Sequence, residues 1–137
     1  MADNSCFHIN RFTMGRILFL IGAGGAIGSI SRYLVTVFFS RHIPSVFPYG
    51  TFVVNLSGCL FIGILYALAE RFSWLSPEWR LFLTTGLCGG YTTFSAFMYE
   101  NMRLLQQGHY LSFAAYSLAS FALGLLGVIL GAAMVKA

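Results

Sequence analysis

The chain has 137 residues, a length that suits one small domain, yet 58% of them are hydrophobic and only 9% are charged, against roughly a quarter in ordinary soluble domains. That composition excludes a soluble globular fold and places the chain in a bilayer. The net charge of +4 sits mostly on arginines near the ends of apolar segments, without the dense basic runs of nucleic-acid binders, so nucleic acid is excluded as a partner.

Met1 to Arg16 is polar, and the apolar run after it is too long for a signal core and has no evident cleavage site. Residues 1–15 therefore read as a polar extension, with residues 16–137 forming one membrane domain. Met14 directly before the first span is an alternative start. The first span runs from about Ile17 to Phe39, interrupted by Gly22-Ala23-Gly24-Gly25-Ala26-Ile27-Gly28 and by Arg32. Gly22, Gly24 and Gly28 only loosely match a dinucleotide fingerprint: the third glycine is one place late, and neither a strand nor an acidic ribose ligand accompanies it. Gly24 and Gly28 instead make the small-xxx-small face that lets membrane helices approach closely. Arg32 is costly at that depth unless it snorkels or finds a carbonyl, a carboxylate or water.

A loop holding Pro44 and Pro48 resists helix continuation, and a second span follows from about Gly50 to Ala69. Asn55 there must hydrogen-bond to another helix, to water or to a permeating solute, and Thr51 one turn earlier extends the same polar face. A polar connection with Trp74 and Trp79 at interfacial positions leads to a third span, Arg80 to about Met102. Its middle holds Gly86, Gly89 and Gly90, then Tyr91-Thr92-Thr93-Phe94-Ser95. A regular helix is not expected across that segment, where unwound backbone can turn carbonyls toward a buried cation; such backbone survives only inside protein or beside a cavity. Phe94 and Phe97, three apart, share a helical face, and aromatic rings offer positive edges to anions. Glu100 near the end of this span is a candidate partner for Arg32 or a vestibule charge.

The fourth span runs from Tyr110 to Val135. Tyr116, Ser120 and Gly124 recur at i, i+4 along it, a stripe that suits a polar track or helix packing, and Gly127 and Gly131 repeat the small-residue spacing. Four spans are few with which to enclose a pore, so oligomerisation is expected. An even number puts both termini on one side, with Arg11, Arg16, Arg71, Arg80 and Lys136, against Arg41 and Arg103 opposite. So small a bias permits insertion in both orientations. Cys6, Cys59 and Cys88 are odd in number and widely spaced, which favours neither disulfides nor a metal site. His8, His42 and His109 lie near termini or in loops, and no nucleophile-base spacing or close carboxylate pair argues for an enzyme.

Three strings, Gly24 to Tyr33, Gly50 to Gly58 and Gly89-Gly90-Tyr91-Thr92-Thr93-Phe94-Ser95-Ala96-Phe97, resemble the small fluoride channels of bacteria, the camphor-resistance family. The resemblance covers nearly the whole chain from Arg16. It implies an all-α membrane protein with four transmembrane helices per subunit and a broken third helix, assembled as an antiparallel dual-topology homodimer in the bacterial cytoplasmic (inner) membrane. Two pores, each built from both subunits, then release cytoplasmic fluoride passively and confer fluoride resistance. By motif position, Phe94 and Phe97 match the rings whose edges contact fluoride, and Asn55 matches the amide that turns to it. Tyr116 and Ser120 match the fourth-helix polar track, Thr92, Thr93 and Ser95 supply hydroxyls near the break, and Thr51, Thr93 and Ser95 are counted with the pore residues. Gly89 and Thr92 match the backbone carbonyls that hold a structural sodium ion (Na+) at the dimer interface. Arg32 and Glu100 fall at structural or vestibule positions. Tyr91 and the segment before Met14 lie outside the strongest pattern. Two rivals fit less well: a small multidrug exporter needs an embedded carboxylate where the first span has arginine, and a passive scaffold leaves Asn55, Phe94 and Phe97 without a shared task.

Overall fold

The computed structural model describes residues 11–72 and 75–136, so Cys6, His8 and Trp74 lie outside the described residues. All regular structure among them is helical. Helix α1 spans Arg11–His42, α2 Tyr49–Arg71 and α3 Pro77–Leu81; a π-helical stretch, Phe82–Cys88, carries α3 on into the short α4, Gly89–Tyr91. Helices α5, Phe94–Gln106, and α6, Tyr110–Lys136, complete the chain. Three of these helices are long and apolar enough to cross a membrane: Thr13–His42 within α1, α2 and α6. Helix α1 extends beyond the expected span, Ile17 to Phe39, at both ends, taking in Arg11 to Arg16 and Ser40 to His42.

Backbone chemistry explains the boundaries. Ser76 caps α3 by accepting the Trp79 amide, with Pro77 at the first helical position where a missing N–H costs nothing. Helix α5 ends on Gly108 at φ 75°, with His109 N–H donating to Leu104 O and Gly108 N–H to Leu105 O. That left-handed pair of bonds turns the chain directly into α6.

Glycine sets which helices touch. A Cβ at Gly24 would lie 2.6 Å from the Phe82 carbonyl oxygen, and one at Gly86 2.9 Å from that of Ile21, so α1 and the π-helical stretch meet backbone to backbone. Gly63 of α2 and Gly131 of α6 close the α2–α6 contact the same way, against Val128 and Ile64. The i, i+4 glycines of both outer helices therefore serve as packing faces. Gly58 leaves the space filled by the Thr92 methyl and the Tyr91 ring.

The charged end groups share one end of the bundle. Arg16 pairs with Glu78 at 2.9 Å and Lys136 with Glu70 at 3.7 Å, while Arg71 donates to the Val135 carbonyl. The start of α1, the end of α2, the start of α3 and the end of α6 are thus neighbours.

Candidate functional site

The helix path stops at Thr92 and Thr93, whose backbones are extended. The last helical bond is Thr92 N–H to Cys88 O at 3.0 Å, and the Thr92 hydroxyl donates to the same carbonyl at 2.9 Å. In an unbroken helix the Thr93 N–H would meet Gly89 O; it donates instead to Asn55 Oδ1 at 2.8 Å. Asn55 Nδ2 returns a bond to Thr93 O at 3.0 Å. One amide on α2 therefore replaces both lost backbone partners of the break and leaves a second Nδ2 hydrogen without a partner among the described residues. Thr93 Oγ then accepts the Ala96 N–H and starts α5.

Arg32 takes up a carbonyl released nearby. Its Nη1 donates to Thr92 O at 3.2 Å, and Ser29 Oγ reaches Gly90 O at 3.4 Å. Glu100 is therefore not the partner of Arg32: its Oε1 accepts from Thr51 Oγ at 2.6 Å and its Oε2 from Tyr116 OH at 2.7 Å. The rotation of α5 turns the carboxylate toward α2 and α6, where two hydroxyls stabilise it by charge-assisted bonds. Tyr116 is fully buried, its ring edge-on to Phe97 at 4.8 Å and to Phe47 at 5.3 Å.

Two cavities receive these groups. A groove of about 550 Å³ is lined by Asn55, Gly89, Thr92, Thr93, Phe94, Phe97 and Ser120, together with Cys59, Cys88 and Ser117. Phe94 is 73% exposed there, its ring centroid 6.1 Å from that of Phe97. The Ser120 hydroxyl is buried with no hydrogen-bond partner among the described residues. A smaller cavity of about 160 Å³ beside the α1–α2 loop holds Thr51 and Glu100 with Thr36, Ser40 and Ser45. Of the residues singled out from sequence, Tyr116, Ser95 and Arg32 line neither cavity. Within one subunit Tyr116 buttresses Glu100, Ser95 is exposed beside Thr93 Oγ at 3.4 Å, and Arg32 braces the break from α1.

Sequence reasoning missed three polar contacts. Buried Asn101 donates to Phe97 O and accepts from Ser117 Oγ, each at 2.9 Å. Tyr91 OH lies 3.0 Å from Ser57 Oγ, tying the residue before the break to α2. The spacing Phe97, Asn101, Leu104 puts Asn101 on the same helical face as apolar residues, a signal of a buried amide.

The family model described as "CrcB-like protein, Camphor Resistance (CrcB)" matches residues 19–132, most of the chain and all of the break. The chain belongs to this family. CrcB relatives share much of the sequence. A protein of Phocaeicola vulgatus is 49% identical over 114 residues, 83% of this chain and 93% of the relative. One of Flavobacterium psychrophilum is 44% identical over 121 residues, 88% and 98%. One of Rhizobium meliloti is 45% identical over 124 residues, 90% and 98%. Each is named a fluoride-specific ion channel, FluC. With its long apolar helices, this CrcB member is a multi-pass membrane protein.

Proposed function

We propose that this protein is a passive, fluoride-selective channel of the bacterial cytoplasmic membrane, working as an antiparallel homodimer with two pores. The observation that carries the reading is the pair of opposed helix ends at Thr92–Thr93. The rod of residues 77–91 ends there in released carbonyls, the negative pole of a helix, and α5 begins there with free N–H groups, the positive pole. One break thus offers a place for a cation and, beside it, a place for an anion, as in the discontinuous helices of membrane transporters.

A small hard anion sheds water only where donors replace it. The free Nδ2 hydrogen of Asn55, the positive edges of Phe94 and Phe97 and the unpartnered Ser120 hydroxyl border one groove. The names of the relatives favour fluoride as that anion. A second copy covering the exposed Phe94 would exclude lipid and close the path. Residues 77–91 and 94–106 together reach about 40 Å at 1.5 Å per residue, enough for a fourth crossing of the bilayer. Four crossings put both termini on one side, and the small bias of basic residues between the two ends suits insertion both ways.

The cation fits sodium. Carbonyl oxygens suit a hard ion, and the Gly89 carbonyl lost its helical donor to Asn55. The Thr92 carbonyl is shared with Arg32, so Gly89 is the stronger donor of the two. The Gly89 and Thr92 carbonyls would hold the ion, which would supply positive charge against the negative pole of the helix end. Flux needs no energy source: HF entering from acidic surroundings dissociates inside, and the membrane potential drives the anion out.

The test is efflux from liposomes loaded with potassium fluoride, followed with a fluoride electrode as valinomycin relieves the potassium diffusion potential. Rapid fluoride release with little chloride release is expected, and Phe94→Ile is expected to cut the flux while the dimer persists. Absence of fluoride release from the wild-type protein would overturn the reading.

A further inference from the structure

Helix α5 carries both phenylalanines, yet little apolar surface holds it in place. Its only buried residues are Asn101 and Leu104, 4% and 3% exposed. Met98, Tyr99, Met102 and Leu105 are exposed. Polar contacts add to what buried Leu104 and the Phe97–Tyr116 ring contact fix of its orientation, and adjacent residues make them. Glu100 is bound by Tyr116 and Asn101 by Ser117, at 2.7 and 2.9 Å. Successive residues of an α-helix point about 100° apart, so two neighbouring bonds to one partner helix fix rotation about the axis. Glu100 also accepts from Thr51 of α2 at 2.6 Å, so the Asn101 bond adds the second point of attachment to α6.

Asn101 is well suited to this. Its Oδ1 accepts the Ser117 hydroxyl and its Nδ2 donates to Phe97 O, so the amide is anchored on the turn that carries Phe97. Ser117 lines the same groove as Phe94 and Phe97. We infer that Asn101 and Ser117 are a positioning pair that sets the rotation of α5, and through it the presentation of the Phe94 and Phe97 rings, which makes the pair a determinant of anion selectivity. The inference rests on the fluoride-path reading. Neither residue contacts the anion on this account; both act through the phenylalanines.

The experiment compares the full-length wild type with Asn101→Leu, Ser117→Ala and Ser117→Thr in liposomes, reading fluoride flux, the fluoride-to-chloride ratio and the dimer fraction by gel filtration. Asn101→Leu is expected to lower fluoride flux at least tenfold. Ser117→Ala is expected to lower it about threefold, with a reduced fluoride-to-chloride ratio in both. Ser117→Thr keeps the hydroxyl and is expected within about twofold of wild type. Where Asn101→Leu fails to assemble, Ser117→Ala decides the question. An unchanged ratio in an assembled Ser117→Ala dimer overturns the inference and reduces the pair to helix packing. A wild-type protein that moves no fluoride overturns the channel reading and this inference with it; wild-type flux with unaffected variants overturns only the inference.

Discussion

Asn55 is the residue whose removal tests the break most directly. Its amide makes reciprocal bonds to the Thr93 N–H and C=O at 2.8 and 3.0 Å, and the site is half-buried. Asn55→Leu leaves both backbone groups without partners. An unsatisfied buried group costs about 1–3 kcal/mol, and partial access to water keeps each toward the lower end, so the pair is expected to cost about 2–4 kcal/mol. Asn55→Asp is the sharper probe. The carboxylate still accepts the Thr93 N–H, so one bond survives, while the Thr93 carbonyl loses its donor at a cost of about 1–2 kcal/mol. Its charge, however, stands beside the proposed anion path. Two like charges about 4 Å apart at an effective dielectric near 20 repel by about 4 kcal/mol, which corresponds to about a thousandfold in rate. Asn55→Asp is therefore expected to unfold at a modestly lower temperature, remain dimeric and lose nearly all fluoride flux in the liposome assay. Wild-type flux in an assembled Asn55→Asp dimer would refute the placement of Asn55 beside the path. Undiminished stability of Asn55→Leu would refute its bracing of the break.

Gly28→Val places a Cβ 2.7 Å from the Tyr91 nitrogen and 3.0 Å from the Gly90 carbonyl carbon; rigid backbone there makes overpacking cost about 3 kcal/mol, read as lost yield and a lower melting temperature. Gly22→Ala, with nothing within 4 Å of its Cβ, is the matched control, expected to be neutral or stabilising by up to about 1 kcal/mol. Equal behaviour of the two variants would refute backbone-to-backbone packing at Gly28. Tyr116→Phe keeps the ring contacts with Phe97 and Phe47 but removes the hydroxyl from Glu100. A hydrogen bond to a charged group contributes about 1.5–3 kcal/mol, so thermal unfolding should show a clear loss, and an unchanged melting temperature would count against the Glu100 anchor.

Composition and local spacing determined a good deal about this protein. Long uncharged runs mark α1, α2 and α6 because the hydrocarbon core tolerates little else. Glycines at i, i+4 mark the contact faces of α1 and α6 because that interval repeats on one side of a helix. The Gly-Gly-Tyr-Thr-Thr string marks the break, since it joins two poor helix formers to hydroxyls that compete for backbone bonds. Asn55 was legible as a group needing a partner. Tertiary structure alone decided the partners. Arg32 and Glu100 look like an ion pair on charge, yet the rotation of α1 takes Arg32 to the Thr92 carbonyl while that of α5 takes Glu100 to Thr51 and Tyr116. Asn101 and Ser117 join helices through a loop that Gly108 closes. Hydropathy reports which side chains leave water, a property of each residue and its near neighbours. Which donor meets which acceptor depends on helix rotation and register set by contacts far apart in the chain.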